Sequence, residues 1–288
     1  GASNQSTGIA TISQLLNSTA SSQQSITYHV QPILANQCSA STFDAIVNVN
    51  PLPVVTINAS STAICDGAAV TLSGVGALTY SWSGGISDAV AFTPTQTGTF
   101  TYTVTGTDVN GCQNTAQQNI VVNALATVES VKDGVRCGPG VVTLSAITKS
   151  KEIKWYDKIN GGALLGTGDT LKTSSIDTTT KFYADAVTLK GCVTATRTEV
   201  IAAIKRVPKV DSVTSAEVCG SGVMTLKAKA DVGSIRWYDS LTNGSILSNA
   251  NSYTTSNLLA TKNYFAEAVY NGCTSYERTS VQALVRAL

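Results

Sequence analysis

Apolar and polar residues alternate along this chain in short bursts, with no sustained helical spacing. Ile26-Thr27-Tyr28-His29-Val30 and Phe100-Thr101-Tyr102-Thr103-Val104 send every second side chain to one face, the period of a half-buried strand. Each such burst runs into a polar turn and then a cysteine. Tyr28 and Cys38 share the spacing of Tyr102 and Cys112, while Tyr183 to Cys192 and Tyr264 to Cys273 are one residue shorter. The turns are Asn110-Gly111, Lys190-Gly191 and Asn271-Gly272, where glycine supplies the positive φ of a tight hairpin, and more weakly Asn36-Gln37. Between 125 and 206 the alternation predicts strands near 127–131, 141–146, 152–156, 170–174, 181–189 and 193–204, with one more short strand after the third. The fold class is all-β.

The pattern repeats. Val128, Cys137 and Trp155 recur 82 residues later as Val210, Cys219 and Trp237, and Trp155-Tyr156-Asp157 returns as Trp237-Tyr238-Asp239. An earlier module, 54–124, follows the same plan with strands near 69–74, 79–83, 98–108 and 114–122 and with Trp82 in the slot of the other two tryptophans. A cysteine, then a tryptophan, then a cysteine is the rhythm of an immunoglobulin-like β-sandwich. The expected organisation is a truncated half-domain over 1–53, then sandwiches over 54–124, 125–206 and 207–288, in an elongated array. Linkers at 50–53, 122–124 and 205–209 are short, and two contain proline, which favours semi-rigid joints.

There are seven cysteines. Pairing neighbours from the second onward gives Cys65–Cys112, Cys137–Cys192 and Cys219–Cys273, each closing a loop of about fifty residues at one end of its own sandwich and adding about 2–4 kcal/mol. Cys38 is left over. By the repeat logic its mate is expected about fifty residues upstream, before Gly1. Half a sandwich exposes strand edges, so residues 1–53 are expected to be completed by another polypeptide, a retained fragment or a larger assembly.

Regularly spaced cysteines without Cys-x-x-Cys spacing point to an oxidising compartment and away from zinc or thiol redox chemistry. No cofactor is expected. The net charge of +1 hides an asymmetry: residues 1–124 hold four acids and no Lys or Arg, whereas the rest holds all 19 basic residues. A protease specific for Lys or Arg therefore has no site before Lys132. The basic residues are dispersed among acids, which argues against a nucleic-acid stripe, and no apolar run is long enough to span a bilayer.

These residues carry a family resemblance. Module 54–124, with Tyr80-Ser81-Trp82-Ser83, Phe92-Thr93-Pro94 and Asn110-Gly111-Cys112, resembles the PKD-like repeats of giant Bacteroidetes surface proteins, and residues 1–53 resemble the C-terminal half of a related PKD-like domain. The last two modules, each with Trp-Tyr-Asp and a late Gly-Cys, are similar to the immunoglobulin-like repeats of the same proteins. The resemblance implies a non-enzymatic segment of a type IX secreted, gliding-motility-type adhesin. It implies an extracellular place on the outer-membrane surface and, as partner, a surface polysaccharide or another cell-surface protein. The alternatives are a carbohydrate-binding module and an accessory stalk of an exported polysaccharide-degrading enzyme.

Candidate chemistry is thin. Trp155 and Trp237 alternate with Ile153 and Ile235 and are expected in cores; Tyr156 and Tyr238, on the opposite face, are the candidate ligand platform. Asp108 before Asn110-Gly111-Cys112 is a turn residue, since calcium needs six or more converging oxygens. His29 is the one histidine and has no nucleophile assigned to it. The resemblance also brings in O-glycosylation at Thr170, Thr178, Ser212 and Ser240, each preceded by Asp; the competing reading is ordinary turn chemistry.

Overall fold

The computed structural model describes residues 13–16, 19–33 and 38–288, which form two compact units, 1–124 and 125–288. The Asn36-Gln37 turn lies outside the described residues.

In the first unit, β1 (Gln24–Val30) and β2 (Phe43–Val49) form one antiparallel ladder, with Tyr28 opposite Ala45 and His29 opposite Asp44. Phe43 and Ile46 are 54% and 65% exposed on this two-stranded sheet. The next seven strands are β3 (Thr56–Ala59), β4 (Ala63–Cys65), β5 (Val70–Val75), β6 (Thr79–Trp82), β7 (Ala91–Phe92), β8 (Gly98–Thr107) and β9 (Gln113–Asn123). They make a sandwich of β3-β5-β7 against β4-β9-β8-β6. Leu72, Ile120, Val70, Val122 and Ile64 fill it, with Trp82 packed at the margin and its indole N–H donating to Asp88 at 2.9 Å.

The second unit holds two copies of one design. The first has β10 (Ser130–Lys132), β11 (Gly134–Cys137), β12 (Thr143–Ile147), β13 (Glu152–Tyr156), β14 (Leu164–Thr167), β15 (Thr170–Lys172), β16 (Thr180–Val187) and β17 (Thr198–Lys205), arranged as β10-β12-β15 against β11-β17-β16-β13-β14. The second has β18 (Val210–Thr214), β19 (Ala216–Cys219), β20 (Thr225–Ala230), β21 (Ser234–Tyr238), β22 (Ile246–Ser248), β23 (Ser252–Thr254), β24 (Lys262–Tyr270), β25 (Cys273–Thr274) and β26 (Thr279–Arg286) in the same order, with β25 added beside β24.

Both tryptophans of this unit are fully buried. Each sits opposite a small residue: Trp155 faces Ala184 and Ile153 faces Ala186, while Trp237 faces Ala266 and Ile235 faces Ala268. The small alanines opposite leave room for the large side chains beside them in a close-packed core. Each indole N–H is satisfied by a carbonyl, Gly168 at 2.8 Å and Ala250 at 2.9 Å.

One strand per module departs from the expected pattern. The first strand is not continuous: β10 pairs with β12 in one sheet, then the chain crosses at Asp133 and β11 runs parallel to β17 in the other. Asp133 holds this crossing by accepting the Ile201 amide at 2.7 Å. The same switch occurs from β18 to β19, which pairs parallel to β26, and β4 pairs parallel to β9 in the earlier module.

Trp237→Ala removes a fully buried indole, and we expect a loss of about 3–5 kcal/mol, measured as a lowered urea midpoint for the second unit.

Candidate functional site: a disulfide joint between modules

The crossing strand decides where the cysteines lie. Cys137 ends β11 opposite Lys205, the last residue of β17, so it stands at the trailing end of its module, where the chain leaves. Cys219 likewise ends β19 opposite Arg286, and Cys65 ends β4 opposite Asn123. The hairpin cysteines stand at the leading end instead: Cys273 pairs with Tyr270 beside the start of the last strand, and Cys112 directly precedes β9.

This geometry overturns the pairing expected within each module. An eight-residue strand separates the two ends by roughly 24 Å at about 3.4 Å per residue, whereas a disulfide needs Cα atoms within about 7 Å. Cys137 is instead bonded to Cys273 of the following module, with Cα atoms 5.7 Å apart and 136 residues between them in sequence. Cys112 and Cys219 carry free thiols, so the expected Cys65–Cys112, Cys137–Cys192 and Cys219–Cys273 bonds are not the ones formed. Cys65 and Cys192 are disulfide-bonded as well. Cys38 is exposed.

Other groups complete the joint. Lys205 Nζ donates to the Asn271 carbonyl of the hairpin at 3.0 Å. Gly138, at φ +70, follows Cys137, and any Cβ there would collide with the Tyr276 hydroxyl and crowd Val207. A groove of about 490 Å³ runs along this joint, lined in part by Gly138, Thr178, Arg206 and Tyr276. The linker is clamped by Asp231, whose carboxylate accepts the Lys209 amide and the Arg206 guanidinium, each at 2.8 Å. These contacts, the Lys209 amide foremost, hold its carboxyl below the usual range.

The expected ligand platform is covered. Arg197 lies 3.3 Å from the Tyr156 ring centre, and Arg278 lies 3.3 Å from that of Tyr238. Arg278 also reaches Glu267 at 3.6 Å and donates to the Ser240 carbonyl at 2.9 Å, while the Tyr238 hydroxyl donates to Glu267 at 2.9 Å. Tyr238 is only 6% exposed. Its ring face is spent on an arginine that fastens the following turn to the sheet, and Tyr156 is used in the same way, with Arg197 donating to the Lys158 carbonyl at 2.7 Å.

The remaining candidates are turn and surface residues. Asp108 accepts the amides of Asn110 and Cys112, each at 2.8 Å, which is the chemistry of a hairpin turn. His29 pairs with Asp44 across the exposed β1–β2 ladder. Thr170, Thr178 and Ser212 are exposed. Ser240 is half-buried and its hydroxyl donates to the Thr242 carbonyl at 2.7 Å, so this serine is already engaged in its turn. Among the described residues no group of three or more His, Cys, Asp or Glu lies together as a metal site, and no helix is long and apolar enough to cross a membrane.

Tandem two-sheet sandwiches joined end to end define the class as immunoglobulin-like repeats. Residues 123–205 and 206–286, more than half of the chain, match the family described as Ig-like domain, CHU_C associated, and the chain belongs to that family. Residues 1–53 match a PKD-like domain. No curated protein matches the chain. Among solved structures it is similar to the fibronectin(III)-like modules of Clostridium thermocellum CbhA, at 18% identity and TM-score 0.36, covering 57% of this chain and 95% of that one. It is also similar to a Ca2+-stabilized ice-binding adhesin of an Antarctic bacterium, at 13% identity and TM-score 0.36, covering 91% and 82%. A third is a 1.5-MDa bacterial ice-binding adhesin, at 11% identity and TM-score 0.36, covering 82% and 99%.

Arg278→Ala leaves Glu267 partly buried with fewer partners, and we expect a loss of about 1–3 kcal/mol by urea titration. Asp231 has a depressed folded-state value, so its stabilisation is full above the unfolded carboxylate value of about 3.9 and fades as pH falls through the lower folded value. Wild type should therefore melt above Asp231→Asn at pH 7 and at pH 5, with the gap narrowing as pH is taken below the unfolded carboxylate value; a gap independent of pH contradicts the clamp.

Proposed function

We propose that this chain is a non-enzymatic structural and adhesive segment of a large exported surface protein, in which tandem sandwiches carry tension and hold binding surfaces away from the cell. The observation that carries this reading is the Cys137–Cys273 bond. A bond within one module stabilises that module; a bond between the trailing end of one and the leading end of the next makes the pair a single mechanical element. The chain-entropy term for a loop of 136 residues is about 5 kcal/mol, little more than for a loop of about fifty. The gain specific to this arrangement is thus stiffness of the joint and protection of the enclosed chain, properties a stalk uses.

Stable disulfides fit an extracellular, oxidising site. Within this reading the segment serves surface attachment or gliding motility in a type IX secreted, outer-membrane-associated protein, and its partner is a surface polysaccharide or another cell-surface protein. The β1–β2 ladder, with Phe43 and Ile46 exposed, fits completion of residues 1–53 by further chain. Thr170, Thr178 and Ser212 are open to glycosylation, which intact-mass measurement on protein from the native host would detect.

Single-molecule pulling tests the mechanical reading. With handles at residues 125 and 288, the oxidised chain should unfold to a contour length about 450–490 Å shorter than the reduced chain, because the 136 enclosed residues cannot extend. Equal lengths before and after reduction would contradict it.

A further inference from the structure

The trailing end of the last module is built like the trailing end of the module before it. Cys219 sits opposite Arg286 as Cys137 sits opposite Lys205, and the Gly220 amide donates to the Arg286 carbonyl at 2.8 Å as the Gly138 amide does to Lys205 at 2.9 Å. Thr261 accepts the Val285 amide at 3.0 Å, as Thr179 accepts that of Ile204 at 3.1 Å. Gly220 adopts φ +81 and lies against the Leu288 side chain, the place that Val207 takes over Gly138. The cysteine, the positive-φ glycine after it, the apolar residue over that glycine and the threonine that fastens the last strand are therefore repeated. The cysteines differ in state, Cys137 being bonded and Cys219 an exposed thiol, and Glu217 stands where the earlier module has Val135. Leu259, in the position of Asp177 by the 82-residue repeat, is 80% exposed on the same end.

We propose that this end is a covalent docking site for another sandwich of the same build, one presenting a Gly-Cys hairpin at its leading end, with Cys219 forming the inter-module disulfide. The occupant is identified by the joint already made: a Gly-Cys turn brings its sulfur to the end of the crossing strand and an exposed backbone carbonyl to the basic residue beside it. Arg286, which now pairs with Glu217 at 2.8 Å, stands where Lys205 meets the Asn271 carbonyl. The bond forms by oxidation of two thiols, which release two protons and two electrons to a disulfide oxidant such as glutathione disulfide, itself reduced to two thiols. The site deepens the tandem-stalk reading and rests on it: each module would be stapled to the next by the same bond.

The test lengthens the full chain at Leu288 with a second copy of residues 208–288, so that Leu288 takes the role of Val207. The added copy carries Cys219→Ser, to remove its own trailing thiol, and Thr274→Ser, to mark its hairpin peptide by mass. After refolding in a glutathione redox buffer, a non-reducing tryptic map should join the Cys219 peptide to the marked hairpin peptide. Iodoacetamide labelling of Cys219 should be almost wholly lost. In the same lengthened chain with the original Cys219 also changed, by Cys219→Ser, the marked hairpin should remain alkylatable. Cys219 staying reduced while Cys137–Cys273 has closed would overturn the proposal, as would a bond from Cys219 to Cys112 of a second molecule. If Cys137–Cys273 itself fails to form, the stalk reading fails first, and the same digest distinguishes the two results.

Discussion

A disulfide spans only a few ångströms between Cα atoms, and the direction of one short strand determines which cysteines come that close. In both modules of the second unit the first strand begins in one sheet and finishes in the other, parallel to the last strand. The crossing carries the first cysteine of each module to the end where the chain departs. The hairpin cysteine stays where the chain arrives. No rearrangement inside a module can join the two without breaking the sheet, so the available partner is a neighbour.

From this follows how the modules cohere. Each core is self-contained, a buried indole facing alanines, and would fold around its own tryptophan. The joint adds what the cores do not: a covalent tie, the Lys205 contact, the crowding over Gly138 and the Asp231 clamp on the linker. These lie on the short path between two sandwiches, where bending strain on a tandem array concentrates. The arginines stacked on Tyr156 and Tyr238 serve the other need, pinning long turns to the sheet so that each module presents a firm surface.

Much of the fold was legible because strand alternation and turn glycines are local signals. The strand near 152–156 is observed at those residues, and the buried tryptophans follow from their alternation with isoleucine. The disulfide map was not legible from loop lengths, since the neighbour pairing assumed that both cysteines of a module share an end. The overlooked signal is short: Cys137 and Cys219 are each followed at once by a glycine of positive φ, and Cys65 by one two residues on. That marks the turn after a strand of three or four residues, too short for alternation to reveal. The stacked arginines were missed for a related reason. Arg197 and Arg278 recur 81 residues apart, yet their meeting with the tyrosines depends on sheet pairing far apart in sequence.

Trypsin cuts between all the cysteines of the second unit, which makes a non-reducing peptide mass map the most direct test of the whole account. In the oxidised chain the peptide 137–149 should be found linked to 263–278, with the Cys219 peptide alkylated. Finding 137–149 linked to 191–197, and the Cys219 peptide linked to 263–278, would return the disulfides to single modules and contradict the joint.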